Sequence, residues 1–242
     1  NFAAIHCRVP ASICAVAMHI GLVYDLRDDY LAAGFSSEAA AEFDVEETIA
    51  ALADAIAALG HTPERIGHGR ALAARLVAGD RWDLVYNIAE GVVGRAREAH
   101  VPGLLELYDI PYTGSDPLTC AATLDKAVAK RIVRDAGVAT PAFAVVRNDH
   151  DCCNLPLKYP LFVKPIAEGT GKGIMATSRV TSTAALHRIS RRLLETYRQP
   201  VLVEEYLPGR EFTVGIVGTD AAARVVGMIE VFFLRQDAPA IY

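Results

Sequence analysis

A change of rhythm near Leu124 limits the fold of this chain more than any other feature. Ahead of it, short apolar runs alternate with helical periodicities, the pattern of βαβ units and a mostly parallel sheet. Residues 19–24 read as a buried strand that runs into the polar Asp25. Residues 25–43 carry charges, Gly34 and Ser36-Ser37, and read as a long loop with room for a short helix. Asp44 and Glu47 have capping-box spacing, Val45, Ile49, Leu52, Ile56 and Leu59 follow at helical intervals, and Gly60 stands where a helix stops. Residues 62–66 and 83–88 read as further strands, 70–78 and 101–109 as helices, and 110–113 as a short extended piece. In such sheets ligands sit beyond the carboxyl ends of the strands, which assigns 24–29, 87–94 and 113–116 to the ligand side.

After Leu124 the rhythm becomes strand, turn, strand. A helix over 126–136 closes at Gly137, and Thr140-Pro141 leads into a strand over 142–146. Residues 148–158 form a polar loop, 161–165 a strand, 169–173 a glycine-rich turn and 174–177 another strand. Ser182 is placed to cap a helix over 184–197, and strands follow at 201–205, 211–217 and 224–231. This half reads as α+β with antiparallel pairing.

Composition excludes several classes. With 52% hydrophobic residues the chain can bury a real core, and its net charge of −5 argues against a general nucleic-acid binder. Its apolar runs are too short to span a membrane. The five cysteines are odd in number and form no Cys-x-x-Cys pair, which disfavours a disulfide framework or a zinc site and fits a reducing compartment. Ala15-Val16-Ala17 has the look of a secretory cleavage site, but Pro10 interrupts a short apolar stretch; residues 1–17 are expected to be extra upstream sequence.

The chemistry concentrates in Glu168-Gly169-Thr170-Gly171-Lys172-Gly173, which follows a strand ending in Lys164-Pro165. Glycines let backbone N–H groups approach phosphate oxygens, and a lysine adds charge. The spacing is neither that of a Walker loop nor that of a dinucleotide fingerprint, and a plain structural turn remains open. Lys164 closes an apolar strand, where a strand-end lysine snorkelling to solvent is the ordinary reading. Glu204 and Glu205 follow another apolar strand, Pro208-Gly209 turns the chain, and Glu211 opens the next. Carboxylates so placed can accept hydrogen bonds from an adenine amino group and ribose hydroxyls, or simply face solvent.

Leu124-Asp125-Lys126, Phe162-Val163-Lys164-Pro165, the 168–173 loop and Val203-Glu204-Glu205-Tyr206-Leu207-Pro208-Gly209-Arg210-Glu211 occur in the order found in D-alanine–D-alanine ligases, members of the ATP-grasp superfamily. Pro102-Gly103-Leu104-Leu105-Glu106 and Ile110-Pro111-Tyr112-Thr113-Gly114-Ser115 also resemble that family. The resemblance implies an α/β N-terminal domain (a Rossmann-like parallel sheet) followed by an α+β ATP-grasp domain. It divides the chain into 18–122, a central part over 123–200 and the start of a C-terminal part over 201–242. It implies ATP, with Mg²⁺ or Mn²⁺, and a peptide bond formed through an acyl phosphate. Lys126 and Lys164 would contact phosphates, and Glu168, Gly169, Thr170, Gly171, Lys172 and Gly173 would close over them. Glu204, with Glu205, Tyr206 and Leu207, would hold adenine, and Glu211 the ribose. Asp25, Asn87, Glu90, Gly91, Arg97 and Thr170 would line the amino-acid side, and Glu98 would stand near them.

The resemblance implies no protein nucleophile, and it puts the metal carboxylates and an arginine for the tetrahedral intermediate beyond Tyr242. Residues 18–242 alone are therefore expected to bind ATP weakly at best and not to ligate. The expected partners are small-molecule amino acids and a second copy in a homodimer, without nucleic acid or membrane, in the cytoplasm. This sequence departs from the family at Asp25-Leu26-Arg27-Asp28-Asp29-Tyr30 and at Glu90-Gly91. A ligase for other amino acids or peptides, and a non-catalytic ATP-binding module, are the alternatives.

Overall fold

A computed structural model describes residues 16–232 and divides the chain into two compact units, residues up to 132 with 167–172, and 133–166 with 173 onward. The first unit is built on three parallel strands, β1 (His19–Val23), β2 (Thr62–Gly67) and β3 (Leu84–Asn87), in the order β2-β1-β3. Residues 110–113 extend this sheet, because Val85 donates to the Pro111 carbonyl and accepts from the Thr113 N–H. The helices are α1 (Arg27–Ala32), α2 (Glu46–Ala58), α3 (Gly69–Ala78), α4 (His100–Leu107) and α5 (Pro117–Leu124), and the division of the chain falls within α6 (Lys126–Asp135).

Both faces of this sheet are covered, as parallel sheets require. Alternate β1 residues point opposite ways: Ile20 and Leu22 pack with Ile56 of α2, while Val23 joins Leu72, Leu76, Trp82, Val85, Val101 and Leu105 on the other face. Each of these buried aliphatic side chains contributes roughly 1.5–3 kcal/mol. Gly21 has no room for a side chain, since a Cβ there would lie 2.5 Å from Ile66 and 3.1 Å from the Trp82 ring. Trp82 is held at its polar end too: its Nε1–H donates to Glu64 at 2.8 Å.

The second unit contains a four-stranded antiparallel sheet of β4 (Phe143–Val146), β5 (Leu161–Pro165), β6 (Arg179–Val180) and β7 (Val201–Glu205), in the order β4-β7-β5-β6. Helix α7 (Thr183–Tyr197) covers one face with Leu186, Ile189 and Leu193 against Val163, Val180, Val201 and Val203. Ser182 caps it by accepting from the Ala185 N–H. Strands β8 (Glu211–Val217) and β9 (Arg224–Val231) form a separate antiparallel hairpin whose side chains are largely exposed. The expected junction at 200/201 falls just ahead of β7, which is hydrogen-bonded on one side to β4 and on the other to β5.

Three local expectations need correction. The capping box at Asp44 and Glu47 does not form: α2 starts one residue later, with Val45 at the cap and no side-chain bond. The strand expected over 174–177 is instead a 3₁₀ turn at Ala176–Ser178, with only Arg179–Val180 pairing to β5. Helix α5 was not expected, although Asp116 caps it by accepting from the Thr119 N–H and Pro117 stands at its first turn, the usual signature of a helix start.

Candidate functional site

In the first unit the site is built at the carboxyl ends of β1 and β3. Asp25 follows β1, is 2% exposed, and accepts from the Tyr30 hydroxyl at 2.5 Å and from the Gly91 N–H at 2.8 Å. Gly91 is required where it stands: its φ is +71°, and a Cβ would lie 2.6 Å from the Arg97 carbonyl oxygen. Asn87 ends β3 and turns the chain by accepting from the Ala89 N–H at 3.2 Å. Burial and the hydrogen bond to Asp25 push the Tyr30 phenol well up.

A cavity of about 520 Å³ opens beside these residues, lined among others by Glu42, Asp44, Asn87, Glu90, Glu98 and Ser115. Its wall is acidic. Burial, then the charges of Glu98 and Glu42, push Glu90 up to about 7, against a smaller opposing effect of Arg97. Burial likewise raises Glu98 and Asp44. Asp25, Gly91 and Arg97 do not line this cavity; they hold the backbone around it.

The first part of the glycine-rich loop, residues 167–172, belongs to this unit. Arg97, 8% exposed, donates to the Ala167 carbonyl at 2.7 Å and to Glu42 at 3.1 Å. Lys172 lies 2.8 Å from the Glu168 carboxylate and 3.8 Å from Glu42. Lys126 donates to the Glu168 carbonyl, and Glu42 accepts from the Gly169 N–H. Asp125 fixes Lys126 at the head of α6 by accepting from the N–H groups of Ala127 and Val128 at 3.0 and 3.1 Å. Thr170 and Gly171 form the exposed tip, with φ of +46° and +69°. Three cations, two carboxylates and a backbone amide therefore converge on one short loop. Glu42 is central to it and was not anticipated. Its one sequence signal is a lone glutamate between Ala39-Ala40-Ala41 and Phe43, where Ala40 and Phe43 are buried.

The remaining expected residues lie in the second unit. Lys164 on β5 pairs with Glu204 on β7 at 2.6 Å, and Glu204 is 8% exposed. A salt bridge there answers both the strand-end lysine and the strand-end carboxylate. Tyr206 packs against Phe162 and under Arg179, whose guanidinium lies 5.1 Å from its ring. Glu205 is half-buried at the end of β7, Leu207 is exposed, and Glu211 opens β8 opposite Val231. Gly173 closes the loop with φ of +76°, and a Cβ there would lie 2.5 Å from the Pro165 ring.

Residues 132–236 match the family model "D-ala D-ala ligase C-terminus". The chain is 37% identical over 158 residues to the uncharacterized protein y4sG of Sinorhizobium fredii, covering 65% of this chain and 46% of that one. It is 36% identical over 200 residues to a D-alanine–D-alanine ligase of the same organism, covering 82% of this chain and 62% of that one. The chain thus spans about half to three fifths of the length of these relatives. The fold is similar to that of the VanG D-Ala:D-Ser ligase from Enterococcus faecalis, with a TM-score of 0.61, 20% identity, and coverage of 89% of this chain and 70% of the other.

Proposed function

We propose that this chain, which is similar over most of its length to a D-alanine–D-alanine ligase and carries a match to the C-terminal family model, is part of an ATP-dependent carboxylate–amine ligase of the ATP-grasp type that forms a peptide bond. A carboxylate attacks the γ-phosphorus of ATP and releases ADP, and an amine then attacks the acyl carbon of the acyl phosphate and releases phosphate. Such chemistry asks the protein for positioning, charge neutralisation and exclusion of water rather than for a nucleophile.

The observation that carries this reading is the convergence of Arg97, Lys126, Lys172 and the Gly169 N–H on the 167–172 loop. A polyphosphate would compete with Glu42 for the amide and with Glu168 for the lysines. Lys164 would contact phosphate. Glu204, the backbone of Glu205 and Leu207, and the Tyr206 ring would hold adenine, and Glu211 the ribose. Asn87 and Glu90 would face the amino-acid substrate with Thr170. Asp25 and Arg97 would act from behind, by fixing Gly91 and Ala167. Mg²⁺ or Mn²⁺ on the phosphates is part of the proposal. Those ions take oxygen donors, and among the described residues the one three-residue group with metal-ligand geometry offers sulfur and nitrogen as well. No step is therefore assigned through the metal.

D-Alanine is the first substrate to test. A specific observation favours a second reading, a ligase for another amino acid: Glu42, Asp44, Glu90 and Glu98 around one cavity exceed the charge that a single ammonium needs. The test is ATP binding by this chain, with ATP turnover by the full-length protein compared for D-alanine, L-amino acids and dipeptides. Binding that fails in Lys126→Ala and Lys164→Ala is expected. Turnover stimulated only by another amino acid selects the second reading. Binding without stimulation by any of them leaves a nucleotide-binding module, and no ATP binding overturns the proposal.

A further inference from the structure

A separate cluster of ligating side chains lies in the second unit, where the chain between β4 and β5 meets α7. Asn148 Oδ1 accepts from the N–H groups of His150 and Asp151 at 3.0 and 3.2 Å and fixes the 3₁₀ turn Asp149–Cys152. That turn presents Asp149 and Cys152, and α7 presents His187 and, one helical turn on, Arg191. His187 Nδ1 is 2.9 Å from Asp149 Oδ1, and Arg191 donates to the other Asp149 oxygen at 3.0 Å. One ligand atom each from Asp149, Cys152 and His187 lie within 4.8 Å of one another. Cys152 is 2% exposed and packs in the core with Val146, Leu186 and Ile189.

We propose that Asp149, Cys152 and His187 form a binding site for a borderline-soft divalent cation of the zinc class. Tetrahedral zinc with bonds of about 2.0–2.3 Å sets its ligand atoms about 3.3–3.6 Å apart, and ligand atoms that already lie within 4.8 Å of one another close to that spacing by side-chain movements of about 1 Å. A thiolate and a carboxylate together neutralise the dication, and imidazole adds a neutral donor. The mixed sulfur, nitrogen and oxygen set selects zinc over magnesium or calcium, which take oxygen alone. Arg191 stays on the far oxygen of Asp149 and orients it, while the apolar wall behind Cys152 keeps water from that side. Asp149 and His187 are partly exposed, with side chains 47% and 25% accessible, so the cation has an entry path and a fourth position for water. The spacing gave no warning of this site, because one ligand comes from a helix 38 residues from Asp149.

The probe is Co²⁺ added to the chelator-treated 242-residue chain. The expected result is one thiolate-to-cobalt charge-transfer band with tetrahedral d–d bands, displaced by one equivalent of Zn²⁺. Cys152→Ser removes the charge-transfer band, and His187→Ala weakens binding at least tenfold, with the fold checked by circular dichroism. If Cys152→Ser does not fold, His187→Ala at the partly exposed ligand decides. Absence of the band at excess Co²⁺ overturns the site and leaves an Asp149–His187–Arg191 ion-pair network. A band that survives in folded Cys152→Ser, or affinity unchanged in His187→Ala, overturns it as well.

Discussion

Removing the charge of Glu90 should make the protein less sensitive to rising pH. Glu90 is half-buried beside Glu98, Glu42 and Asp25, and the Arg97 guanidinium opposes their charge. Its carboxyl is pushed from 4.5 up to about 7, so the folded state holds a proton that the unfolded chain has already released. A raised carboxyl contributes stability that is fully present below about 4.5 and is lost as pH rises through about 7. At 1.36 kcal/mol per pKa unit the ceiling is about 3 kcal/mol, and contact with solvent lowers it to about 2 kcal/mol. Urea unfolding at pH 5, 6, 7 and 8 measures this directly. Glu90→Gln should match the parent near pH 5 and exceed it by about 2 kcal/mol at pH 8. Glu98 and Asp44 are raised in the same direction, so the parent and variant curves both fall, and their difference reports Glu90 together with its coupling to Glu98. Parallel curves from pH 5 to pH 8 would refute the reasoning. Glu98→Gln gives a cross-check, because it removes the like charge that acts most strongly on Glu90 and should move the Glu90 titration down.

Further outcomes follow from the same geometry. Glu42→Gln keeps an acceptor for the Gly169 N–H but loses the ion pair with Arg97, and should cost about 2 kcal/mol, read as a lower urea midpoint. Glu42→Ala should cost about 3 kcal/mol, because Arg97 is then left buried with the more distant Glu168 carboxylate, 3.9 Å away, as its remaining ion-pair partner. Gly173→Ala combines a left-handed φ with a Cβ 2.5 Å from the rigid Pro165 ring, and should destabilise by about 2–4 kcal/mol in the same assay. Lys126→Ala should weaken ATP at least tenfold in calorimetric titration while changing the unfolding free energy by no more than about 1 kcal/mol.

The first unit was legible because its signals are local. Strand, helix and stop follow one another within ten or fifteen residues, and β1, β2, β3, α3 and α4 all form close to where periodicity put them. Failures came where two local rules competed. At Asp44, capping-box spacing lost to a backbone tie, in which the Asp44 N–H donates to the Asp25 carbonyl and its own carbonyl accepts from Arg27. That pairing holds residue 44 as a bridge to Leu26 and moves the cap to Val45. Past Gly173, the apolar Ile174 and Met175 suggested a strand, but Ser178 Oγ accepts from the Met175 N–H and closes a 3₁₀ turn instead.

The charged residues of the loop were legible as types but not as partners. Lys126, Lys172 and Arg97 drew attention as cations, yet a sequence does not reveal which carboxylate holds each one. Glu42 stands 127 residues from Gly169 and 55 from Arg97 and joins both. Burying Arg97 and half-burying Lys126 and Lys172 around one loop is tolerable only if carboxylates are drawn in with them. A chain that reserves basic groups for an anion therefore needs hidden acids, and these must come from positions that look unremarkable in the sequence. The same reasoning explains the cavity wall. Glu90 and Glu98 were placed on the amino-acid side by resemblance alone, and the fold draws them together with Glu42 and Asp44, where burial first and neighbouring charge second raise their proton affinity. Protonation is thus the property through which this part of the site can be examined, and Glu90 is where the effect is largest among these carboxylates.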